Sequence, residues 1–144
     1  MIAVDTNILV YAHRLDSPFH RIALRRVTEL AEAQAIWAIP WPCLHEFIGV
    51  VTHPHAYIPP TPLEVAVATV DRWMSSPTLV LLAETPVHWK TLRDVIEPAR
   101  ISGAVVHDAK IVALCIQHGV SELWSADRDF SRFAGVRVVN PLRA

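Results

Sequence analysis

Long apolar runs, glycine, cysteine and lysine are all scarce in this chain of 144 residues, although 52% of its residues are hydrophobic. No apolar run approaches the roughly 20 residues that a membrane-spanning helix needs, and the N-terminus carries no basic stretch or cleavage motif of a signal peptide. We therefore expect a cytoplasmic protein. The two cysteines, Cys43 and Cys115, lie far apart in apolar stretches, which favours buried, reduced thiols.

Excess positive charge is also lacking, because the formal net charge is −1 with neutral histidines. This balance argues against a large, non-specific basic nucleic-acid binder. It does not exclude a nuclease, since a metal site must itself be acidic. The basic residues that are present cluster early in the chain, where the sequence has Arg14, Arg21, Arg25 and Arg26.

Segments typical of strands alternate with segments typical of helices along the whole chain. The predicted strands cover residues 1–4, 35–39, 78–82, 122–124 and 136–139. Two helices are predicted over 42–51 and over 103–118, the second ending before Gly119. Three more are predicted to start at Ser17-Pro18, at the capping box Thr61-Pro62-Leu63-Glu64 and at Thr85-Pro86. The Pro- and His-rich segment 53–60 is predicted to be a loop. This alternation predicts one α/β domain over residues 1–144, with a parallel sheet covered by helices on both faces.

Two acidic residues lie just beyond the ends of predicted buried strands. Asp5 follows the first strand, and Asp127 comes soon after the strand that ends at Trp124. In parallel α/β sheets the functional groups lie beyond the carboxyl ends of the strands, so the two acids would meet if their strands were neighbours. The alternative, purely structural role for Asp5 is that of N-cap of a helix that begins at Thr6 or Asn7.

Two further acids lie on predicted helices. A helical projection places Asp108 on one face with apolar residues, which are Ala104, Val105, Ile111, Val112 and Cys115. An acid within an apolar face needs a partner, and the alternative to a functional role is a buried salt bridge. Glu46 is flanked by apolar residues and by itself is equally compatible with an exposed helix position.

Together, the four carboxylates favour a divalent-metal site. Carboxylates about 4 Å apart repel one another by about 4 kcal/mol at an effective dielectric constant near 20, so a cluster either takes up protons or binds a cation. Ligation by oxygen alone suits Mg²⁺ or Mn²⁺. Such an ion activates water and neutralises charge on a phosphodiester. This chemistry does not distinguish RNA from DNA, because the 2′-hydroxyl is not the nucleophile.

The same residues resemble the PIN-domain nucleases. The resemblance is carried by Val4-Asp5-Thr6-Asn7, Glu46, Val106-His107-Asp108-Ala109 and the stretch from Leu123 to Phe130, and it covers nearly the whole chain. A free-standing PIN domain of this length looks most like the VapC toxins of bacterial toxin–antitoxin pairs. The resemblance implies a three-layer α/β/α fold with a five-stranded parallel sheet and a Mg²⁺- or Mn²⁺-dependent endoribonuclease. It also implies a homodimer neutralised by a VapB-type antitoxin.

By match to the family motif, the resemblance implies that Asp5, Glu46 and Asp108 are metal ligands. Asp127 is the fourth acid, and Asp129 could share or replace its role. Asn7 is expected to orient Asp5, and Ser125 to hydrogen-bond among the ligands. The candidates for contacts with the RNA phosphates are basic residues early in the chain, namely Arg14, His20, Arg21 and Arg25, for which a solvated helix face is the alternative.

Two other functions stay open at the level of sequence. One is another metal-dependent phosphohydrolase, although an aspartyl-nucleophile phosphatase would have a second Asp where this chain has Asn7. The other is a PIN-like domain that only binds RNA or protein. The histidines show no zinc-motif spacing. The five tryptophans (37, 41, 73, 89 and 124) favour core packing or a dimer interface over base stacking.

Overall fold

The computed structural model describes residues 1–143, and within them it has five strands and six α-helices. The strands are β1 (Ile2–Val4), β2 (Trp37–Pro40), β3 (Leu79–Leu82), β4 (Glu122–Trp124) and β5 (Arg137–Val139). The helices are α1 (Thr6–His13), α2 (His20–Glu32), α3 (Trp41–Val51), α4 (Leu63–Met74), α5 (His88–Ile96) and α6 (Val106–Gln117). Two short 3-10 helices span Gly103–Val105 and Arg128–Arg132.

The strands form one sheet in the order β3-β2-β1-β4-β5, and every neighbouring pair is parallel. The predicted five-stranded parallel sheet in a three-layer α/β/α arrangement is therefore confirmed. The chain proceeds from β1 outward to β2 and β3, then returns to place β4 on the other side of β1. The carboxyl ends of β1 and β4 thus lie at the point where the strand order reverses, which is the usual location of a site in such sheets.

The central strands are apolar because the helices cover them on both faces. Ala3 and Val4 of β1 are fully buried, as are Trp37 of β2 and Leu123 of β4. Cys43 and Cys115 are buried and unpaired, as predicted. No helix within residues 1–143 combines the length and the apolar character required to cross a membrane.

The starts of three helices were predicted incorrectly, because each Ser/Thr-Pro pair precedes its helix instead of opening it. Helix α2 begins at His20, and the Ser17 hydroxyl accepts a hydrogen bond from the Phe19 amide within the preceding turn. Helix α4 begins at Leu63, and no side chain caps it, so the predicted capping box does not form. Helix α5 begins at His88, whose amide donates to the Thr85 carbonyl.

The predicted helix over 103–118 is divided into a 3-10 turn and α6. Gly103 and Gly119 have φ values of +69° and +68°, so the left-handed conformation available to glycine flanks this segment at both ends. Ala104 is exposed because it belongs to the 3-10 turn, which contradicts its predicted place on the apolar face.

The tryptophans divide into two groups. Trp37 is fully buried, Trp124 is nearly so, and Trp73 packs edge-on against Phe47. Trp41 and Trp89 are exposed, by 37% and 63% respectively. The prediction of core packing is therefore correct for three of them, whereas Trp41 and Trp89 leave apolar surface on the outside of the molecule.

Candidate active site

The register between β1 and β4 brings the two strand ends together. Val4 pairs with Trp124, and the Asp5 amide donates a hydrogen bond to the Trp124 carbonyl over 3.0 Å. Asp5 and Ser125 are the next residues on the two strands, so they lie side by side. This parallel pairing explains how residues 120 positions apart come into contact.

Asp5 is the most enclosed acid of the site, with 4% of its surface exposed. Its Oδ1 accepts hydrogen bonds from the Thr6 amide at 2.8 Å and from the Cys43 thiol at 3.6 Å. Its Oδ2 accepts from the Ser125 hydroxyl at 2.7 Å and from the Asn7 amide group at 3.2 Å. Asp5 does cap α1, as the alternative interpretation held, but capping occupies only part of its hydrogen-bonding capacity.

Burial raises the pKa of Asp5 from 3.8 to about 6, against the opposing effect of its hydrogen bonds from Ser125, Thr6 and Cys43. The negative charge of Glu46 raises it further. Within residues 1–143 no lysine, arginine or histidine forms an ion pair with Asp5. A buried carboxylate without a cation is unusual, because an unpaired charge is expensive to remove from water.

The Ser125 hydroxyl links three residues of the site. It donates to Asp5 and accepts from the Asn7 side chain at 3.1 Å and from the Asp127 amide at 3.0 Å. The side-chain Oδ1 of Asn7 in turn accepts a hydrogen bond from the Ala126 amide at 3.1 Å. The segment that follows β4 is therefore fixed to the start of α1, and Asp5 is fixed with it.

The other three acids of the predicted set line an open cleft together with Asp5, and the cleft has a volume of about 250 Å³. Glu46 is exposed on α3, and its Oε2 accepts a hydrogen bond from the Thr6 hydroxyl over 3.1 Å. Asp108 is half-buried in the first turn of α6. The cleft thus joins acids from the start of α1, from α3, from α6 and from the loop after β4.

Burial also raises the pKa of Asp108, and the neighbouring negative charges of Asp127, Glu46 and Asp129 raise it further. Arg132 acts in the opposite direction. In residues 1–143 Asp108 has no ion-pair partner, so the buried salt bridge considered as its alternative role does not form. Its helix face is less enclosed than the sequence pattern indicated.

Asp127 and Asp129 have different surroundings. Asp127 lines the cleft, and its Oδ1 accepts from the Asp129 amide at 2.8 Å, which caps the short helix Arg128–Arg132. Asp129 is exposed and lies 3.7 Å from Arg132 in an ion pair. Asp129 is not among the residues that line the cleft.

The side chains around the cleft suit a hard divalent cation, because they offer carboxylate and hydroxyl oxygens. The raised pKa values of Asp5 and Asp108 have the same implication, since a bound cation would offset the cost of their charges. Among residues 1–143, however, no three acidic, imidazole or thiol groups are close enough to form a finished metal site. The acids therefore surround a shared space without converging on one point.

The basic residues predicted to contact phosphate are not on this cleft. Arg14 pairs with Asp16, with an Nη2–Oδ2 distance of 2.7 Å, and its side chain is largely buried. The Nδ1 atom of His20 lies 3.0 Å from the Tyr11 carbonyl oxygen. Arg21 and Arg25 lie on the exposed face of α2. None of the four is among the residues that line the cleft.

The site is also lined by residues that were not predicted from the sequence. Tyr11, Tyr57 and Phe130 form part of the cleft wall. A second groove meets the cleft at Glu46 and Asp108, and its basic members are His45, His107 and Lys110. His45 and His107 are sequence neighbours of Glu46 and Asp108, so their positions near the site follow from the sequence, whereas Tyr57 is brought in only by the folding of its loop.

Comparison with known proteins agrees with this arrangement. The PIN domain family matches residues 2–136. Ribonuclease VapC48 of Mycobacterium tuberculosis is 35% identical over 137 residues, which cover 95% of this chain and 94% of the relative. Ribonuclease VapC43 of the same species is 32% identical over 142 residues, covering 99% of this chain and 96% of the relative.

Solved structures share the fold. VapBC2 from Rickettsia felis, bound to a DNA fragment from its promoter, has a TM-score of 0.69 at 20% identity and covers 97% of this chain and 98% of its own. Mycobacterium tuberculosis VapC20, a sarcin–ricin loop cleaving toxin, has a TM-score of 0.65 at 18% identity, with coverages of 95% and 99%. The chain therefore belongs to the PIN-domain family, and VapC proteins are its relatives over nearly its whole length.

Proposed function

We propose that this protein, as one nuclease domain over residues 1–144, is a Mg²⁺- or Mn²⁺-dependent endoribonuclease of the VapC type. The observation that carries the proposal is Asp5, a buried acid at the end of the central strand. It has four hydrogen-bond donors and, among residues 1–143, no cationic partner. The ribonuclease relatives, at 31–35% identity over nearly the whole chain, support RNA as the substrate.

Asp5, Glu46, Asp108 and Asp127 are the residues that would hold the metal. When bound, the ion supplies an activated water and neutralises charge on the scissile phosphodiester. The protein's own contribution is orientation. The Ser125 and Asn7 side chains hold Asp5 Oδ2, and the Thr6 hydroxyl holds Glu46, so two acids enter the reaction with fixed positions.

The backbone of the RNA needs cations near the acids, since the cleft itself is negatively charged. His45, His107 and Lys110 replace the early arginines as candidates for this role, because they line the groove that adjoins Glu46 and Asp108. A phosphate bound there would lie beside Glu46 and Asp108, which line the same groove.

The proposal is tested by incubating purified protein with total cellular RNA and millimolar Mg²⁺, then mapping the new ends. We expect cuts at defined positions that EDTA abolishes and that Asp108→Asn loses. The matched control is Asp71→Asn, which changes an exposed acid of α4 and should cleave like the wild type. A contaminating nuclease, and not this protein, would be indicated by equal cleavage from Asp108→Asn.

Metal binding should stabilise the fold in a pH-dependent manner. At a metal concentration about tenfold above Kd the gain is about 1.4 kcal/mol, or roughly 4 °C in Tm for a chain of this size. Because Mn²⁺ competes with a proton on Asp5, whose pKa is about 6, the gain should be complete at pH 7.5 and should fall to about 0.4 kcal/mol at pH 5. Thermal melts with and without Mn²⁺ measure it.

Without metal, Asp5 should affect stability with the opposite dependence on pH. The folded state holds its proton up to about pH 6 and the unfolded chain only to about 3.8, so stability is lost as the pH rises through this window. Comparison with Asp5→Asn isolates this contribution, since other groups such as His13 titrate in both proteins. If Mn²⁺ does not change the Tm of the wild type at pH 7.5, the result would favour a domain that only binds RNA or protein.

We further propose that a VapB-type antitoxin neutralises the activity and that the protein acts in the cytoplasm as a homodimer. The solved relatives include VapBC from Salmonella typhimurium and FitAB, each bound to DNA, which supports an antitoxin partner. Exposed apolar side chains, Trp89 among them, supply surface for association. Light scattering of the purified protein at high concentration should show a dimer.

A further inference from the structure

We propose that Tyr57 and Tyr11 form a nucleobase-binding wall beside the carboxylates, and that Arg14 holds Tyr57 in place. The enzyme would then recognise one base of the RNA next to the bond that it cuts. This inference rests on the proposed ribonuclease function, because it assigns the substrate contacts of the same cleft.

The first observation is the position of Tyr57. It belongs to the loop 53–60, outside the helices and strands, yet its side chain lines the acidic cleft. Tyr11 lines the same cleft from α1. Both tyrosines are half-buried. The cleft therefore has two tyrosines in its lining besides the acids Asp5, Glu46, Asp108 and Asp127.

The second observation is that Tyr57 is held by a dense set of contacts. The Arg14 guanidinium lies over the Tyr57 ring at 4.4 Å from its centroid. The same guanidinium donates to both carboxylate oxygens of Asp16, at 2.9 and 2.7 Å, and to the Pro59 carbonyl at 3.1 Å. It also donates to the Thr61 hydroxyl at 3.2 Å.

These contacts tie the C-terminal half of the loop to the C-terminal end of α1, and a backbone hydrogen bond closes the loop onto the end of α3. The His13 Nε2 atom lies 3.0 Å from the Thr61 hydroxyl, and the Thr61 amide donates to the Val51 carbonyl at 2.7 Å. Arg14 therefore has a positioning role, which replaces the phosphate contact predicted from the sequence. A planar guanidinium is needed for it, because lysine offers neither a stacking face nor the paired hydrogen bonds to Asp16.

Tyr11 is braced in a similar manner. The Phe19 ring packs against it with a centroid distance of 5.3 Å, and its carbonyl oxygen lies 3.0 Å from the Nδ1 atom of His20. Fixed aromatic side chains bind bases at low entropic cost, because little motion is lost on contact. The wall is thus prepared before the substrate arrives.

The chemistry of the wall fits a base better than a phosphate. Burial raises the pKa of Tyr57, and nearby Tyr11 and Asp16 act in the same direction, so the phenol stays neutral. Unpaired RNA bases stack on aromatic side chains, and each such contact typically changes affinity by about tenfold or more.

The test is a double-mutant cycle that combines a change in the protein with the removal of one base from the substrate. The substrate is a short RNA that spans a mapped cleavage site, with the base on either side of the cut bond removed in turn. For the wild type we expect kcat/KM to fall about tenfold when one of the two bases is missing. Tyr57→Leu should lose about tenfold on the intact RNA, mainly through KM, and little more on the abasic RNA, because the partner of that base is already gone.

Three companion variants separate a base contact from a structural role. Tyr57→Phe keeps the ring and should stay within about threefold of the wild type, which shows rescue by the conservative change. Arg14→Lys should raise KM as Tyr57→Leu does, since the loop loses its stacking partner. Ile58→Ala is the control, because Ile58 is 87% exposed on the same loop and does not line the acidic cleft.

Two results would overturn the proposal. The first is cleavage by Tyr57→Leu at the wild-type rate. The second is an abasic penalty that is equally large in the wild type and in Tyr57→Leu.

A binding measurement distinguishes this failure from failure of the proposed function. Anisotropy of fluorescein-labelled oligoadenylate and oligouridylate reports base contacts without any cleavage. If the wild type cuts no RNA, the proposed function fails. The binding measurement still shows whether Tyr57 and Tyr11 bind a base. Binding weakened about tenfold in Tyr57→Leu supports it, and equal binding by wild type and variant overturns it.

Discussion

Replacing Asp5 by asparagine is expected to lower the rate of RNA cleavage by about three orders of magnitude while the protein remains folded. Metal-assisted stabilisation of charge contributes several kcal/mol to phosphodiester hydrolysis, and a loss of about 4 kcal/mol corresponds to about a thousandfold in rate. Asparagine keeps the shape of Asp5 and removes its charge, so it tests the charge of the best-held acid in the cleft.

The protein should tolerate this change because the site already accepts a neutral side chain. A pKa of about 6, against 3.8 for the unperturbed group, means that keeping Asp5 ionised costs roughly 3 kcal/mol without a cation. Asparagine removes that cost but presents an amide group to Ser125 or Asn7, which loses about 1–2 kcal/mol of hydrogen bonding. The opposing effects should leave Tm within a few degrees of the wild type.

Cleavage of a mapped RNA under single-turnover conditions, together with a thermal melt, measures both parts of this expectation. Asp71→Asn is again the matched control, since it makes the same chemical change on an exposed helix. Loss of activity accompanied by unfolding would mean that Asp5 acts only as the N-cap of α1. A variant that stays folded and retains more than about a tenth of the activity would contradict the assignment of Asp5 to the metal.

Asp127→Asn is expected to reduce cleavage by about a hundredfold, whereas Asp129→Asn should stay within about threefold of the wild type. The reason is placement, because Asp127 lines the cleft, while Asp129 is exposed and pairs with Arg132. Losing or displacing one group of a catalytic site by about 1 Å typically costs about a hundredfold in rate.

Asparagine is a clean substitution at position 127. Asp127 also caps the short helix Arg128–Arg132 through the Asp129 amide, and asparagine caps helices as well as aspartate does. A loss of activity in Asp127→Asn therefore reports the missing charge and not a disordered loop. If Asp129→Asn proves the more damaging variant, the fourth acid is Asp129, and the loop must rearrange when metal or RNA binds.

The sequence by itself determined the alternation of strands with helices and the parallel sheet, and it supplied the candidate acids. Alternation of short apolar runs with amphipathic segments leaves few topologies, because parallel connections need a helix between strands and take one hand. The position of Asp5 after a buried strand then predicted where the site would lie, since that rule depends only on sheet topology. The motif around Ser125 and Asp127 completed the set by resemblance to the PIN family.

Some local features were beyond the reach of sequence because competing turns are close in energy. The pairs Ser17-Pro18 and Thr85-Pro86 suit a helix start as well as the turn before one, and the contacts of neighbouring segments decide between the two. Thr61 was assigned to a capping box, but its hydroxyl instead contacts Arg14 and His13. A hydroxyl bonds to whichever partner the fold brings near, and that partner is 47 residues away in the case of Arg14.

Only the tertiary structure decided which residues surround the acids. Arg14 is a basic residue for which the sequence alone suggested a phosphate contact. In the structure its guanidinium forms an ion pair with Asp16 and lies over the ring of Tyr57. Tyr57 enters the cleft because a loop without regular structure folds back over α1. Local pattern fixes which residues are apolar or charged and on which element they lie. It does not fix long-range contacts between side chains, which depend on how the elements pack.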